Sequence, residues 1–111
     1  MTKLYKPLLI ESIKAKTFLP RQRFVGFDGN ICAYGLRALG VCDVETEQDQ
    51  YAPIGIIGIL LVEAAGPLDL GIKVASNAEG KAFPATSGEK TNGYSLDAAT
   101  AAGDIIRVVR L

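Results

Sequence analysis

The sequence predicts a mainly β domain: a small β-barrel or β-sandwich of short glycine-bounded strands, with at most one or two short helices and an N-terminal arm. Short apolar runs recur at spacings of roughly ten residues, and glycines and polar turn residues separate them. β-Branched residues are concentrated in these runs, as in Ile105 to Val109. The chain has 111 residues, the length of a single domain.

Composition excludes several classes of function. The chain is 49% hydrophobic, so it can build a core without a metal or a disulfide. Twelve basic residues balance twelve acidic ones, which leaves no excess positive charge for a nucleic-acid partner. Histidine, the usual general base and commonest metal ligand, is absent, so we predict no enzyme and no cofactor. The longest apolar run, Ile54 to Val62, is too short to span a bilayer as a helix, and we predict no membrane partner.

Residues 1–16 are predicted to form the arm, and residues 17–111 a single β-rich domain. The apolar residues of the arm follow no clean period, and Pro7 argues against a helix running through it. A weak helix, a strand and an extended segment ordered only by a partner all remain open. Met1 to Pro7 lacks the apolar core and cleavage site of a signal peptide, which favours synthesis in the cytoplasm.

The first half of the domain contains three predicted strand regions. Asp28-Gly29-Asn30 lies between two apolar runs and predicts a hairpin over Phe24 to Tyr34. Leu39 to Val44 reads as the next strand. Ala52 to Val62 reads as the central strand, and its internal glycines indicate bulges or close backbone approach. The alternating carboxylates between these strands lack the spacing of a calcium loop and are interpreted as a solvated loop; they are Asp43, Glu45, Glu47 and Asp49.

The C-terminal third alternates short strands with turns. Ile72 to Ala75 and Lys81 to Ala85 are predicted strands around a turn that ends at Gly80. For Ser95 to Ala102 we favour a short helix, with Asp97 as its N-cap, over an extended corner. Ile105 to Val109 is the closing strand.

The cysteines, a partial phosphate-binding motif and the serines are the remaining candidates for reactive or ligand-binding residues. Cys32 and Cys42 lie in apolar runs and are predicted to be free, buried thiols. Ser87 to Thr91 contains Gly-x-Lys-Thr, which matches part of a phosphate-loop motif. The upstream glycine and the following helix that the motif needs are missing. No serine has a histidine partner, so a hydrolase is the least supported class of function.

An ordered series of residues across about Phe18 to Leu111 carries a family resemblance. This series resembles the capsid decoration (cement) proteins of tailed bacteriophages, which are similar in architecture to the lambda-type head decoration protein. The residues concerned are, in order, Phe24-Val25, Asp28-Gly29, Ala38 to Val41, Leu61 to Glu63, Gly71, Val74, Ser76, Gly80 to Ala82, Gly93-Tyr94, Leu96, Ala98-Ala99, Gly103-Asp104, Ile106 and Val108.

The resemblance implies a structural virion protein that binds the outer surface of a phage capsid as a homotrimer and stabilises the shell. It implies two partners, the major capsid protein and further copies of the chain, with the arm touching the capsid. The alternative function is a small β-barrel module of another virion component that binds a carbohydrate or peptide. Whether the arm is a capsid tether or the first strand of its own barrel stays open. The expected capsid contacts are Leu4, Leu8, Leu9, Ile10 and Ile13.

Overall fold

The computed structural model describes residues 4–111, and no helix occurs within them. The main sheet curls into a half-barrel, and a two-stranded sheet lies beside it, which confirms the predicted mainly β class. Predictions that touch residues 1–3 lie outside the described part of the chain. Along residues 4–111 the strands are β1 (Lys6–Lys14), β2 (Arg23–Val25), β3 (Gly40–Cys42), β4 (Tyr51–Glu63), β5 (Val74–Ser76), β6 (Ala82–Pro84), β7 (Tyr94–Ser95) and β8 (Ile105–Arg110).

Strand β4 is the centre of the main sheet, as the sequence predicted for this long apolar run. All its neighbours are antiparallel to it. Gly55 pairs with both Ile10 of β1 and Val41 of β3, so these two strands lie on opposite edges of β4. β8 pairs with the later residues 58–63, on the edge that β3 occupies. β2 continues the sheet beyond β3, β7 continues it beyond β8, and β5 and β6 form the small second sheet.

The short strands β2 and β3 are buried on both faces, which explains why their sequences are apolar without alternation. Phe24 and Val41 belong to one core cluster, whereas their neighbours Val25 and Cys42 belong to a second. The first cluster also contains buried residues of β4, β5 and β8, among them Leu60, Val62, Val74, Ile106 and Val108. The second lies across the sheet and includes Ala15, Leu19, Ala52 and Ile54.

A partly buried ion cluster ties the small sheet to the large one. Glu63, at the end of β4, lies 3.2 Å from Arg23 of β2 and 3.2 Å from Lys81, which precedes β6. Burial would raise the pKa of the Glu63 carboxyl, but the two cations outweigh burial and hold that pKa below its ordinary value. The Phe24 N–H also donates to the Gly80 carbonyl at 2.8 Å, so the turn between β5 and β6 is joined directly to β2.

The predicted helix over Ser95 to Ala102 is wrong. Residues 94–95 form β7, and the chain then continues through bends and turns to β8. Asp97 does not cap a helix, because its carboxylate accepts hydrogen bonds from the Arg107 N–H and guanidinium at 2.9–3.0 Å. The Leu96 N–H donates to the Arg107 carbonyl instead of entering a helical turn. Tertiary partners therefore take the groups that a helix would have used.

Both cysteines are free and buried, and burial raises the pKa of each thiol above its ordinary value of 9.0. A thiol that ionises less readily in the folded state stabilises the protein below the unfolded pKa, and this contribution is lost as the pH rises further. We therefore expect the melting temperature to fall above about pH 9, less steeply in a variant with Cys32→Ala and Cys42→Ala.

Alkylation should modify two thiols in denaturant and almost none in the native state; rapid native alkylation would contradict the burial.

Candidate functional site

Strand β1 forms an open edge of the main sheet. It pairs with β4 along its length, and within residues 4–111 no strand pairs with its other side. The strand is nine residues long, whereas native proteins usually shorten or cover such edges. Its unpaired N–H and C=O groups can therefore accept a strand from another protein.

Four of the five apolar residues expected to contact a capsid point into solvent from this strand or just before it. Ile13 differs, because it packs half-buried against the second core cluster and anchors the end of the strand. The structure thus places the five residues on one segment, where four are exposed and Ile13 packs against the core. The exposed fractions are 55% for Leu4, 81% for Leu8, 43% for Leu9 and 47% for Ile10.

The pairing of β1 with β4 is irregular where three consecutive apolar side chains reach solvent. The register with β4 shifts between Pro7 and Leu9 and again between Leu9 and Ile10. Regular pairing would turn alternate side chains toward opposite faces, whereas bulges interrupt this alternation. Leu8, Leu9 and Ile10 are all exposed, and so are Glu11 and Ser12 in the regularly paired part, so β1 presents both of its faces to solvent.

Gly58 of β4 permits this close, irregular crossing. Its φ is +123°, and a Cβ atom there would lie 2.6 Å from the Lys6 carbonyl oxygen and 2.8 Å from the Leu8 nitrogen. A residue with a side chain would be strained by its backbone and would push β1 away. The prediction that glycines in this strand mark bulges or close approach is confirmed here.

A second apolar feature runs across the outer face of the sheet. Val109 of β8 pairs with Tyr94 of β7 on one side and with Ile59 of β4 on the other. Paired residues lie on the same face, and these three face away from the core residues next to them, such as Leu60. We call Tyr94, Val109 and Ile59 the outer row. It is half-exposed, and Ile59 in turn pairs with Lys6 of β1, so the row reaches the open edge.

The residues weighed for other chemistry do not assemble into a site. Three of the four carboxylates in the loop before β4 are exposed. Across residues 4–111, no three His, Cys, Asp or Glu side chains are placed to hold a metal ion. The loop from Ser87 to Thr91 partly matches a phosphate-binding motif. In it the Glu89 carboxylate accepts a hydrogen bond from the Ser87 N–H at 2.8 Å. A negative group therefore uses a backbone donor that a bound phosphate would need. The described residues also contain no helix able to cross a membrane.

One open cleft could serve the alternative of a ligand-binding module. Its volume of about 620 Å³ falls within the range of small-molecule sites. No aromatic side chain lines it, although aromatic side chains commonly line such sites. It lies between the loop before β5 and the end of β6, and its lining includes Pro67, Leu68, Asp69, Ile72, Lys73, Pro84 and Ala99.

Sequence reasoning missed the outer row and the burial of Arg110. The period-two alternation of β8 contains both signals, because Ile106, Val108 and Arg110 share one face while Ile105 and Val109 share the other. A charged residue at the end of a strand is usually exposed to solvent. The sequence analysis therefore did not predict that Arg110 is buried together with Ile106 and Val108.

Comparison with known proteins shows which fold and which family this chain shares. Among solved structures, the chain is similar to the N base of the head fiber gp8.5 of bacteriophage phi29, with a TM-score of 0.76 and 15% sequence identity over 93% of each chain. At this identity the likeness concerns the fold. No curated protein matches the sequence significantly. A family model described as phage cement protein matches residues 9–110, nearly the whole chain. The chain therefore belongs to the phage cement protein family.

Proposed function

We propose that this virion structural protein binds the outer surface of a phage capsid as a homotrimer and stabilises the shell, without catalysing a reaction. The major capsid protein is the proposed partner. The observation that carries the proposal is the open edge of β1 with its exposed leucines. Membership of the cement family supports a role in the virion.

In this proposal residues 1–16 are the arm that carries the capsid contact, and residues 17–111 are the body. A strand of the capsid protein adds to the free side of β1 and satisfies its backbone groups. Leu8, Leu9 and Ile10 then fill pockets on the capsid, while Leu4 extends the contact and Ile13 holds the strand to the body.

The size of this contact explains why several copies should act together. Burying what is still exposed of Leu8, Leu9 and Ile10 contributes about 3–5 kcal/mol, because Leu9 and Ile10 are already more than half-buried. Association costs roughly 4–15 kcal/mol in lost translational and rotational freedom. One arm therefore binds weakly, whereas three arms on one trimer raise the effective affinity by several orders of magnitude. Binding to the assembled shell but not to free subunits stabilises the shell by mass action.

The outer row is the proposed contact between copies, because it is a half-exposed apolar strip within residues 4–111. A stable interface needs on the order of 800 Å² per partner, so the row can only be the centre of a larger contact. The half-exposed Leu61 on the same face of β4 extends it.

Replacing Leu8 with Asp is expected to abolish shell binding, because an ionised carboxylate would have to be buried in the capsid pocket. Leu8 is 81% exposed, so the melting temperature should stay nearly unchanged. Leu70→Asp, at a 63% exposed leucine in a loop far along the chain, is the matched control and should bind normally. Cosedimentation with assembled shells measures both. Wild-type binding by the Leu8 variant would remove the arm from the proposal.

Light scattering of the free protein at micromolar concentration is expected to give the mass of three chains. Ile59→Lys should lower that mass to one chain, since it places a charge in the centre of the outer row, while the lysine stem still covers the sheet. Leu70→Lys serves as the control and should remain trimeric. A monomeric wild-type protein that also adds to shells as single copies would exclude the trimer.

A further inference from the structure

Arg110 is a buried cation with unused hydrogen-bond donors. It is the last residue of β8, and only 3% of it is exposed. Its Nη2 donates to the Ala38 carbonyl at 2.9 Å, but its Nε and Nη1 have no acceptor. A buried charged donor without a partner costs considerable stability, so such a group calls for an explanation in terms of function.

A second guanidinium lies next to the first. Arg37 is exposed, and its Nη1 donates to the Thr91 carbonyl at 2.7 Å. No ion pair joins either arginine to a carboxylate within residues 4–111. Burial, followed by repulsion from Arg37, lowers the pKa of Arg110 to about 10. The two cations therefore repel each other, and within residues 4–111 no carboxylate side chain lies at ion-pair distance from either.

A small cavity lies between these groups and the surface. Its volume is about 100 Å³, which is small for a cofactor but sufficient for a single functional group. Two of its lining residues, Tyr94 and Leu111, are themselves exposed, by 46% and 92%. The lining residues are Arg37, Thr91, Gly93, Tyr94, Val109, Arg110 and Leu111.

We propose that the cavity between Arg37 and Arg110 binds one carboxylate group, supplied by an acidic side chain of a bound protein. A carboxylate accepts the unused guanidinium donors in charge-assisted hydrogen bonds and removes the repulsion between the two cations. The exposed Arg37 meets the anion first, and Arg110 completes the site beneath it. The cavity adjoins the outer row through Tyr94 and Val109, so the acidic side chain arrives with a protein that covers this face.

The free protein tests the site without any shell, so this step can fail independently of the proposed function. Sodium acetate replaces sodium chloride at constant ionic strength and neutral pH, and the melting temperature is followed. The assay is made in the Ile59→Lys background, in which no neighbouring copy can fill the cavity. We expect a saturable rise in this parent and in its Arg21→Gln derivative, an exposed arginine elsewhere, and loss of that rise in its Arg37→Gln derivative. Arg37 is chosen because its exposure spares the fold, whereas replacing Arg110 also alters the core. Absence of a saturable rise, or an equal rise in Arg37→Gln, overturns the site.

The source of the carboxylate is distinguished by two further measurements on Arg37→Gln, with Arg21→Gln as control. If a neighbouring copy supplies it, light scattering shows a lower mass than for the wild type. If the capsid protein supplies it, the mass is retained and the affinity for shells falls. Unchanged mass together with unchanged shell affinity overturns the assignment to a protein side chain. The assignment of the carboxylate to a neighbouring copy or to the capsid protein rests on the proposed function.

Discussion

Replacing Phe24 with Ala is expected to lower the free energy of unfolding by about 3–5 kcal/mol. Phe24 is fully buried in the first core cluster and is the largest of its completely buried side chains. It lies on β2, which is only three residues long, so few backbone pairs remain to hold the strand once the ring is gone. Urea unfolding followed by circular dichroism measures the loss.

Phe27→Ala provides the matched control, because the same side chain is removed three residues later. Phe27 is 69% exposed, and its truncation should change the free energy of unfolding by no more than about 0.5 kcal/mol. Equal losses in the two variants would contradict the burial of Phe24 and the exposure of Phe27.

Gly40→Ala is expected to destabilise the protein by about 3 kcal/mol or more, because one added methyl group has no space. A Cβ atom at this position would lie 2.1 Å from the Gly55 carbonyl oxygen and 2.7 Å from the Ile54 side chain. The first of these is backbone and cannot turn away. β3 pairs with β4 through two residues only, so a small displacement should separate the strands.

Gly66→Ala is the control for this substitution. No atom lies within 4 Å of a Cβ built there, and its φ does not fall in the left-handed region. Alanine at that position should be neutral, or should stabilise by up to about 1 kcal/mol by restricting the unfolded chain. Both variants are compared by thermal unfolding. A Gly40 variant as stable as the Gly66 variant would refute the close approach of β3 and β4.

The fold accounts for how one small domain can serve several contacts. β4 is apolar almost throughout and is flanked on both edges, so its core-facing residues build the domain. Its outward-facing residue Ile59 belongs to the outer row, which is the proposed contact with other copies. β1 protects one edge of β4 while leaving its own second edge open. In the proposed function, stability and binding therefore use opposite sides of the same strands.

Several features follow from local sequence because their causes are local. The Asp28 carboxylate accepts a hydrogen bond from the Asn30 N–H at 3.0 Å, as expected for a turn between two apolar runs. The β-branched closing run becomes β8, and the long apolar run becomes β4. The glycine-bounded series also pointed to the phage cement family, which the family model confirms over residues 9–110.

Other features depend on contacts between distant parts of the chain, and only the tertiary structure decided them. Ser95 to Ala102 had reasonable helical signals, but β8 and the loop at Leu68 offered its backbone stronger partners. Residues 6–14 had no clear period, and their conformation is set by pairing with β4, whose residues lie 37 to 53 positions further along the chain. The exposure of Leu8 and the burial of Arg110 likewise depend on which edge and which face a strand presents. Periodicity predicts that a strand forms, whereas its neighbours determine which of its groups stay free to bind.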